Sequence, residues 1–414
     1  MSREFLSSVL SRGRRVPIVH NVEVANRIDA SKLFGLLTFR CAVEADHDLA
    51  DATLNFQFGR AQAALSGADV AVRHSPDSWL VSFNVNSHLI ENGSQTLTGE
   101  LRLPDGSAAR LPEKTYRIDN SGTLAAAVRR DLETFHTPAI FGRVVDSGLF
   151  PYGPGETKAW FDQAPPPDVP LSAEPAESVE AAERHLIRWG FCLLPEKLPR
   201  ELIDGFWAQL EGAIDSGEIQ YRRGSSDRIH GAHRLPEGRE IWLFPPVLDF
   251  LRRFFRDEPC ACQTLTYPNS SEQQPHQDTI HLTPYPSGYM CGVWIALQDV
   301  QPDSGELVVY PGTHTFPRLR ARELGLAKVD KDYSSYVVFD AAIKALIKEH
   351  GSEPLAYRPK AGEILVWHEN LIHGGSPRRN RELSRKSIVS HYFARGCVGY
   401  YDSRGEAASL EALA

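Results

Sequence analysis

Three potential metal ligands, far apart along the chain, constrain its fold more than any other feature. His276-Gln277-Asp278 places an imidazole and a carboxylate two residues apart, and His373 supplies a second imidazole much later. On an extended segment, side chains two apart project from the same face, so one cation could contact both without distorting the backbone. His373 must then come from a neighbouring strand. The spacing therefore predicts a strand-rich domain whose rim holds a metal ion.

The types of the three ligands indicate which metal. Two imidazoles and one carboxylate form the facial triad that binds non-haem Fe(II) and leaves coordination positions open. A third histidine or a cysteine would instead favour zinc. His368 lies on the same apolar segment as His373 and is an alternative third ligand. The set predicts an Fe(II) site at His276 and Asp278, completed by one of these two histidines.

A second polar pair follows the last candidate ligand. Arg385 and Ser387 are two residues apart, and the alternation continues through Val389 and His391, so these side chains should share an inward face. A guanidinium forms two parallel hydrogen bonds with a carboxylate. We therefore expect Arg385, with the Ser387 hydroxyl beside it, to bind the distal carboxylate of 2-oxoglutarate while the keto-acid end chelates iron. The combination predicts an oxygenase that activates O2 with 2-oxoglutarate.

Composition excludes several other classes of function. The net charge of -8 and the pI near 6.0 argue against a nucleic-acid partner, because phosphate binding requires a basic face. No apolar run approaches the roughly 20 residues that span a bilayer, so we expect no membrane partner. The six cysteines show no Cys-x-x-Cys spacing, which favours free thiols in a reducing cytoplasm. A small-molecule substrate is expected, and composition leaves the oligomeric state open.

The chain is too long for one ordinary core, and a proline-rich stretch suggests where it divides. Residues 163–177 contain five prolines and no apolar periodicity, a composition that favours an extended spacer. We predict a β-sandwich domain with a C-terminal helical connection over 1–162, a linker at 163–177 and an oxygenase domain over 178–414.

Before the linker, period-2 alternation is the dominant signal. Apolar faces are formed by Leu37, Phe39, Cys41 and Val43, by Leu54, Phe56 and Phe58, and by Leu97, Leu101 and Leu103. Asn92-Gly93 and Asp105-Gly106 suit tight hairpins. This pattern predicts an antiparallel sandwich, and residues 86–98 resemble bacterial immunoglobulin-like modules. A helix is expected from Leu124 to Phe135.

After the linker, two helices precede a run of strands. Ser178 can cap a helix that stops at Gly190, and Pro199 suits the first turn of a second helix. Helical segments are expected at 320–327 and 339–349. Strands are predicted at Gln263–Tyr267, Gly292–Leu297, Glu306–Val309, Glu363–Trp367 and Lys386–Phe393. The arrangement predicts a double-stranded β-helix of the jelly-roll type with flanking helices, so the fold class is mainly β.

Five ordered motifs over residues 178–400 resemble the phytanoyl-CoA dioxygenase family of Fe(II)/2-oxoglutarate oxygenases. They are His276-Gln-Asp278, Gly292-Val-Trp-Ile-Ala-Leu-Gln-Asp-Val300, Ser304-Gly-Glu-Leu-Val-Val-Tyr-Pro-Gly-Thr-His314, Gly362-Glu-Ile-Leu-Val-Trp-His-Glu-Asn-Leu-Ile-His373-Gly and Ser384-Arg385-Lys-Ser387. The segment Arg188-Trp-Gly-Phe-Cys-Leu-Leu-Pro195 also suits the start of the family domain.

The resemblance implies roles for individual residues. His276, Asp278 and His373 would be the iron ligands, Arg385 would anchor the co-substrate, and the family pattern favours His373 over His368. Trp294 falls where the family places an aromatic ring against 2-oxoglutarate. The implied reaction releases succinate and CO2 and hydroxylates an unactivated C–H of a small-molecule or carrier-linked metabolite. Related halogenases replace the carboxylate ligand with a small residue, so Asp278 favours hydroxylation.

Two alternatives to a hydroxylase stay open. The jelly roll could be a non-catalytic scaffold that binds a glycan or a protein partner, or the enzyme could be a halogenase or an epimerase of the same superfamily. Residues 315–357, with Tyr333 and Tyr336, are predicted to form a lid that determines specificity.

Overall fold

The computed structural model describes residues 16–27, 31–163, 166–329 and 332–412, and these residues are mainly β-strand. Contacts divide the chain into two compact units. The first comprises residues up to Asn120 together with Pro138–Val145, and the second comprises Ser121–Thr137 and Asp146–Ala414. The prediction of a mainly β protein is confirmed.

The first unit contains two antiparallel sheets. One has the order β1-β3-β7-β11, with β2 beside β3 and β6 beside β7; the other has the order β10-β8-β4-β5, with β9 beside β8. The strands are β1 (Ile18–Val19), β2 (Glu23–Val24), β3 (Leu36–Glu44), β4 (Thr53–Phe58), β5 (Ala61–Ser66), β6 (Ala71–Ser75), β7 (Ser78–Asn86), β8 (Gly93–Arg102), β9 (Ala108–Arg110), β10 (Lys114–Ile118) and β11 (Ile140–Phe141). A short helix, Gly67–Val70, lies between β5 and β6.

Side chains from both sheets form one apolar core in this unit. The predicted alternation is confirmed, since Leu54, Phe56 and Phe58 of β4 are buried while the residues between them are exposed. Rings from opposite sheets meet at the centre, where Phe56 stacks on Phe83 with centroids 4.0 Å apart. Burial of these aromatic faces is what holds the two sheets together.

One of the two predicted hairpins forms and the other does not. Asp105-Gly106 lies in the turn that joins the paired strands β8 and β9, and Gly106 has the positive φ that such a turn requires. The prediction at Asn92-Gly93 is wrong, because this turn leads from β7 in one sheet to β8 in the other. The Asn92 side chain accepts a hydrogen bond from the Asn120 backbone N–H at 2.8 Å, which fixes a crossover between sheets.

The second unit contains a large antiparallel sheet and two small ones. The large sheet has the order β12-β19-β16-β21-β14-β13, with β24 beside β14, and the small sheets have the orders β15-β22-β23 and β18-β17-β20. The strands are β12 (Phe191–Leu193), β13 (Ile229–His230), β14 (Pro259–Tyr267), β15 (Thr283–Tyr285), β16 (Met290–Ala296), β17 (Leu307–Val309), β18 (Leu355–Tyr357), β19 (Ile364–His368), β20 (His373–Gly375), β21 (Ser387–Ala394), β22 (Val398–Tyr401), β23 (Glu406–Ala407) and β24 (Glu411–Ala412).

The three adjacent strands β19, β16 and β21 are buried along their whole length. They coincide with three of the five predicted strands, and β14 and β17 match the other two. Strands buried on both faces appear as continuous apolar runs in the sequence, as β16 and β19 do. They form the floor on which the site residues lie.

Helices of the second unit are Thr123–Thr134, Val179–Trp189, Arg200–Asp215, Pro236–Trp242, Pro245–Phe255 and Val337–His350. The Ser178 hydroxyl accepts a hydrogen bond from the Ala181 N–H at 3.2 Å, and Gly190 ends that helix in the left-handed region, as predicted. The helix expected at 339–349 is confirmed by Val337–His350, whereas residues 320–327 form turns rather than a helix. None of the helices in the described ranges is long and apolar enough to cross a membrane.

The division between the units differs from the predicted one at 163–177. The Thr123–Thr134 helix and the segment after Asp146 belong to the second unit, because their side chains are fixed there. Tyr285 donates a hydrogen bond to Asp131 at 2.9 Å, and Phe161 stacks on Phe254 with centroids 4.4 Å apart. Part of the proline-rich stretch also bonds to this unit, as Trp189 donates its indole N–H to the Val169 carbonyl at 3.1 Å.

Candidate metal centre

A cavity of about 420 Å³ opens on one face of the large sheet in the second unit. Its wall includes all three predicted ligands, together with Trp294 and Arg385. Trp294 projects from β16, which is buried along its whole length, and His373 begins β20. His276 pairs with His373 through an isolated bridge, and Asp278 begins a short 3-10 helix rather than lying on a strand. The structure therefore brings together residues that are spread over more than a hundred positions of the sequence.

His276, Asp278 and His373 converge on one point. Their candidate ligand atoms all lie within 4.8 Å of one another, and all three residues are buried. Asp278 Oδ1 is 3.7 Å from His276 Nε2 and 3.9 Å from His373 Nε2. The backbones of the two histidines hydrogen-bond to each other in both directions, at 2.9 and 3.0 Å, so the segment before Asp278 is held against the start of β20.

The second nitrogen of each ring determines which atom can bind a metal. His276 Nδ1 lies 2.9 Å from the Gln274 carbonyl oxygen, and His373 Nδ1 lies 3.0 Å from the Leu371 carbonyl oxygen. Since a carbonyl only accepts, both Nδ1 atoms carry the proton and both Nε2 atoms present a lone pair to the centre. Burial, followed by the nearby His373, lowers the pKa of His276 to about 3, so its ring is neutral at physiological pH.

Asp278 is held as an ion by two groups that sequence reasoning missed. Trp367 donates its indole N–H to Asp278 Oδ2 at 2.7 Å, and His391 Nε2 lies 3.4 Å from the same oxygen. Burial opposes ionisation, but the hydrogen bond from His391, beside that from Trp367, favours the charged carboxylate, and the pKa of Asp278 lies well below its usual range. Only Oδ1 faces the two ligand nitrogens, which suits a carboxylate that binds through one oxygen.

The position of Trp367 depends on a glycine. Gly292 pairs with Trp367 on one side and with His391 on the other, and a Cβ built at Gly292 would lie 2.2 Å from Trp367 Cε2. The absent side chain at Gly292 is therefore what lets the indole cross the sheet toward Asp278. The alternation from Arg385 to His391 was the signal that could have identified His391.

Arg385 carries a charge that is buried in the second unit. Its side chain is 1% exposed, its Nε has no hydrogen-bond partner, and no acidic side chain pairs with it among the described residues. Its guanidinium carbon lies 5.5 Å from the Trp294 ring centroid and 5.8 Å from that of Tyr267. Burial lowers the pKa of Arg385 to about 10, so the group stays charged at neutral pH. A buried cation without a counter-ion favours an anionic ligand.

The other predicted residues differ in whether they line the cavity. Trp294 lines the cavity with its indole N–H unpartnered, while Ser387 is buried nearby with an unpartnered hydroxyl and is not on the cavity wall. His368 packs against Phe161, with ring centroids 5.8 Å apart, and is not a member of the ligand cluster. His373 is therefore the histidine that the geometry brings to His276 and Asp278.

Segment 315–357 contributes to the cavity through Tyr333 and Tyr336. Tyr336 stacks on His281, with centroids 5.3 Å apart, and its hydroxyl lies 3.1 Å from His281 Nδ1. His281 also lines the cavity. Asp330 and Lys331 lie outside the described residues, and the role of the segment as a lid stays a prediction.

The donor set fits a ferrous ion. Two neutral imidazole nitrogens and one carboxylate oxygen point to the same space from three sides, with no thiol in the cluster. The unpaired Arg385 on the same cavity wall fits a carboxylate-bearing co-substrate next to that ion.

Comparison with known proteins gives the same family as the motifs. Residues 190–387 match the family model of phytanoyl-CoA dioxygenase (PhyH). Over 199 residues the chain is 24% identical to the peroxisomal phytanoyl-CoA dioxygenase of Homo sapiens, covering 44% of this chain and 54% of that protein. Over 139 residues it is 30% identical to a probable phytanoyl-CoA dioxygenase of Caenorhabditis elegans, covering 33% of this chain and 41% of the relative.

Among solved structures, the epimerase SnoN in complex with Fe3+, alpha ketoglutarate and nogalamycin RO aligns with a TM-score of 0.43 and 16% identity. That alignment covers 57% of this chain and 98% of SnoN. The chain spans about half the length of the curated relatives that it matches. Residues 190–387 of this chain are therefore similar to the phytanoyl-CoA dioxygenase (PhyH) family.

Proposed function

We propose that the protein is an Fe(II)- and 2-oxoglutarate-dependent dioxygenase that hydroxylates an unactivated C–H of a small-molecule or carrier-linked metabolite. The observation that supports this most strongly is the pairing of two features on one cavity wall. Three neutral or anionic ligand atoms converge on a point, and a buried arginine without a counter-ion faces the same space.

His276, Asp278 and His373 would hold the iron, and Arg385 would bind the distal carboxylate of 2-oxoglutarate. When bound, the iron and co-substrate would activate O2, with oxidative decarboxylation to succinate and CO2 coupled to hydroxylation of the substrate. Ligands on one face of a triad leave the remaining positions for a keto acid and O2.

The chain's own residues prepare the site before any ligand enters. The carbonyls of Gln274 and Leu371 fix the two ligand imidazoles in the tautomer whose Nε2 faces the centre. Trp367 donates a hydrogen bond to Oδ2 of Asp278. The carboxylate would therefore bind the iron through Oδ1 alone and fill a single coordination position. These partners hold the ligands in place and reduce the reorganisation that metal binding requires.

Arg385 orients the co-substrate and helps keep its end of the cavity dry. Its planar fork matches a carboxylate, and the nearby Trp294 and Tyr267 rings restrict where the guanidinium can point. We propose that Trp294 also contacts the co-substrate and that the Ser387 hydroxyl assists after a small shift. The carboxylate at Asp278 favours hydroxylation over halogenation.

The finer assignments of fold and location are also proposals. The sheets of the second unit support a double-stranded β-helix, and the two sheets of the first unit support an immunoglobulin-like sandwich of unassigned role. The six cysteines are all free and buried, which supports a cytoplasmic location.

The test is anaerobic addition of Fe(II) and 2-oxoglutarate, followed by O2. We expect a visible metal-to-ligand charge-transfer band and succinate formation, and we expect Asp278→Ala to lose both while keeping the wild-type circular dichroism spectrum. Asp168→Ala, at an exposed aspartate outside the cavity, is the matched control and should behave as wild type. A wild-type protein that forms no band, or full turnover by Asp278→Ala, would contradict the proposal.

A further inference from the structure

A second group of positive charges lies on the cavity wall apart from Arg385. Arg228 and Arg404 both line the cavity, and so does His230 on β13. Both arginines are exposed, whereas Arg385 is buried, so they mark the open side of the same space. Apart from Asp278, none of the described residues that form this wall is acidic.

Arg228 differs from its neighbours in having no counter-ion. On the preceding stretch, Arg222 pairs with Asp227 at 3.3 Å, and Arg223 pairs with Glu211 and Asp215, both at 2.5 Å. Within the described part of the chain, Arg228 itself forms no ion pair or hydrogen bond, although it lines the cavity. The acidic side chains near Arg228 therefore pair with other arginines, which do not line the cavity.

Arg404 is only loosely neutralised. Its Nη2 lies 2.8 Å from Glu406 Oε2, but the two side chains are 56% and 46% exposed. Pairs this exposed contribute little stability and exchange partners readily. The electrostatics agree that these charges converge, because burial, then Arg228 and Arg404, lower the pKa of His230.

The same cavity wall also carries aromatic side chains. Tyr333, Tyr336 and Tyr401 line the cavity, and the Tyr336 ring stacks nearly parallel to the His281 ring. Such a wall suits the uncharged body of a ligand that has its polar group at one end. The cavity volume of about 420 Å³ is near the lower end of the roughly 300–1,000 Å³ usual for small-molecule sites.

We propose that the substrate carries an anionic group, a carboxylate or a phosphate, that binds Arg228 and Arg404. This inference rests on the proposed function, because it assigns the remaining space to the substrate once Arg385 holds 2-oxoglutarate. Held in this way, the body of the substrate lies along the tyrosines, and its far end reaches the space in front of His276 and His373. The two arginines bind the substrate and take no part in holding iron.

The test uses probes of matched size on protein loaded anaerobically with Fe(II) and saturating 2-oxoglutarate, so that Arg385 is already occupied. Hexanoate, hexyl phosphate and the neutral hexanamide are titrated by calorimetry. We expect at least one anion to bind more tightly than the amide, and the double variant Arg228→Gln/Arg404→Gln to weaken it at least about tenfold, since one charge-assisted hydrogen bond contributes about that factor. Whichever anion binds more tightly identifies the acid group.

Arg379→Gln is the control, because Arg379 is 77% exposed and does not line the cavity. It should bind each probe as wild type does. Equal binding of anion and amide, no loss in the double variant, or no binding of either anion would each overturn the inference. The charge-transfer band separates the two proposals: a wild-type protein without the band refutes the oxygenase, whereas a normal band with no preference for anions refutes only the anionic substrate.

Discussion

Arg385→Met should stabilise the metal-free protein while abolishing its use of 2-oxoglutarate. The arginine is fully buried, and its charge has no acidic partner among the described residues. Methionine keeps much of the length and apolar stem of arginine and removes the charge. Replacement of buried ionic groups by apolar ones of similar size is often neutral or stabilising.

The expected magnitude follows from the cost of burial. Burial lowers the pKa of Arg385 from 12.5 to about 10, which at 1.36 kcal/mol per pKa unit corresponds to about 3 kcal/mol. The folded state binds this proton more weakly than the unfolded state, so stability from this group would rise only as pH increases from about 10. Between pH 6 and 9, in roughly the range where both states stay protonated, the cost is constant. The free energy of unfolding of Arg385→Met should therefore exceed the wild-type value by up to about 3 kcal/mol.

Two assays test this reasoning. Urea denaturation of the metal-free proteins at neutral pH measures the stability, and titration of the anaerobic charge-transfer band measures 2-oxoglutarate affinity. Loss of a bidentate charge-assisted contact should weaken that affinity at least about a hundredfold. The control Arg379→Met should change neither quantity appreciably, because that side chain is 77% exposed. An Arg385→Met protein less stable than wild type would refute the electrostatic argument, and one that binds 2-oxoglutarate normally would refute the anchor.

Three further changes probe the network around the metal. Trp367→Phe keeps the packing but removes the hydrogen bond to Asp278, so Fe(II) affinity, measured by competition with a chelator, should fall about 10- to 100-fold; an unchanged affinity would show that the indole only fills space. Gly292→Ala should displace that indole and lower both Fe(II) affinity and melting temperature, whereas the same change at the helical Gly212, where a Cβ meets nothing, should stabilise by up to about 1 kcal/mol. Burial lowers the pKa of His314 to about 4, so stability is lost as pH falls below the unfolded value near 6.5. His314→Gln should then lose about 2 kcal/mol less than wild type between pH 7 and pH 5 in urea titrations, and equal losses would contradict the assignment.

Much of the fold was predictable because local patterns report burial. The buried strands β16 and β19 appear in the sequence as largely apolar runs, and β21 appears as the alternation from Arg385 to His391. The Ser178 and Gly190 caps bound a helix through short-range hydrogen bonds. A helix is predicted at 320–327, where the structure has turns, because the composition of this segment suits both a helix and turns. The prediction of a hairpin at Asn92-Gly93 was wrong for a related reason. The sequence shows where a turn occurs but not which sheet the next strand joins.

The candidate ligands could be predicted, but their supports could not. His276 and Asp278 are two residues apart, and His373 and Arg385 follow in a recognisable order. Trp367 and His391 act on Asp278 across three strands, and no local pattern connects them.

The sequence by itself determined which chemical groups are available: two imidazoles, one carboxylate and one guanidinium, on segments that favour strands. Only the tertiary structure decided that His373 rather than His368 meets Asp278, and that Arg385 has no counter-ion. The physical reason is the separation along the chain between the residues that set each property. Ligand type and strand propensity are properties of a residue and its neighbours, whereas convergence and desolvation depend on which distant strands pair and on what they exclude from water.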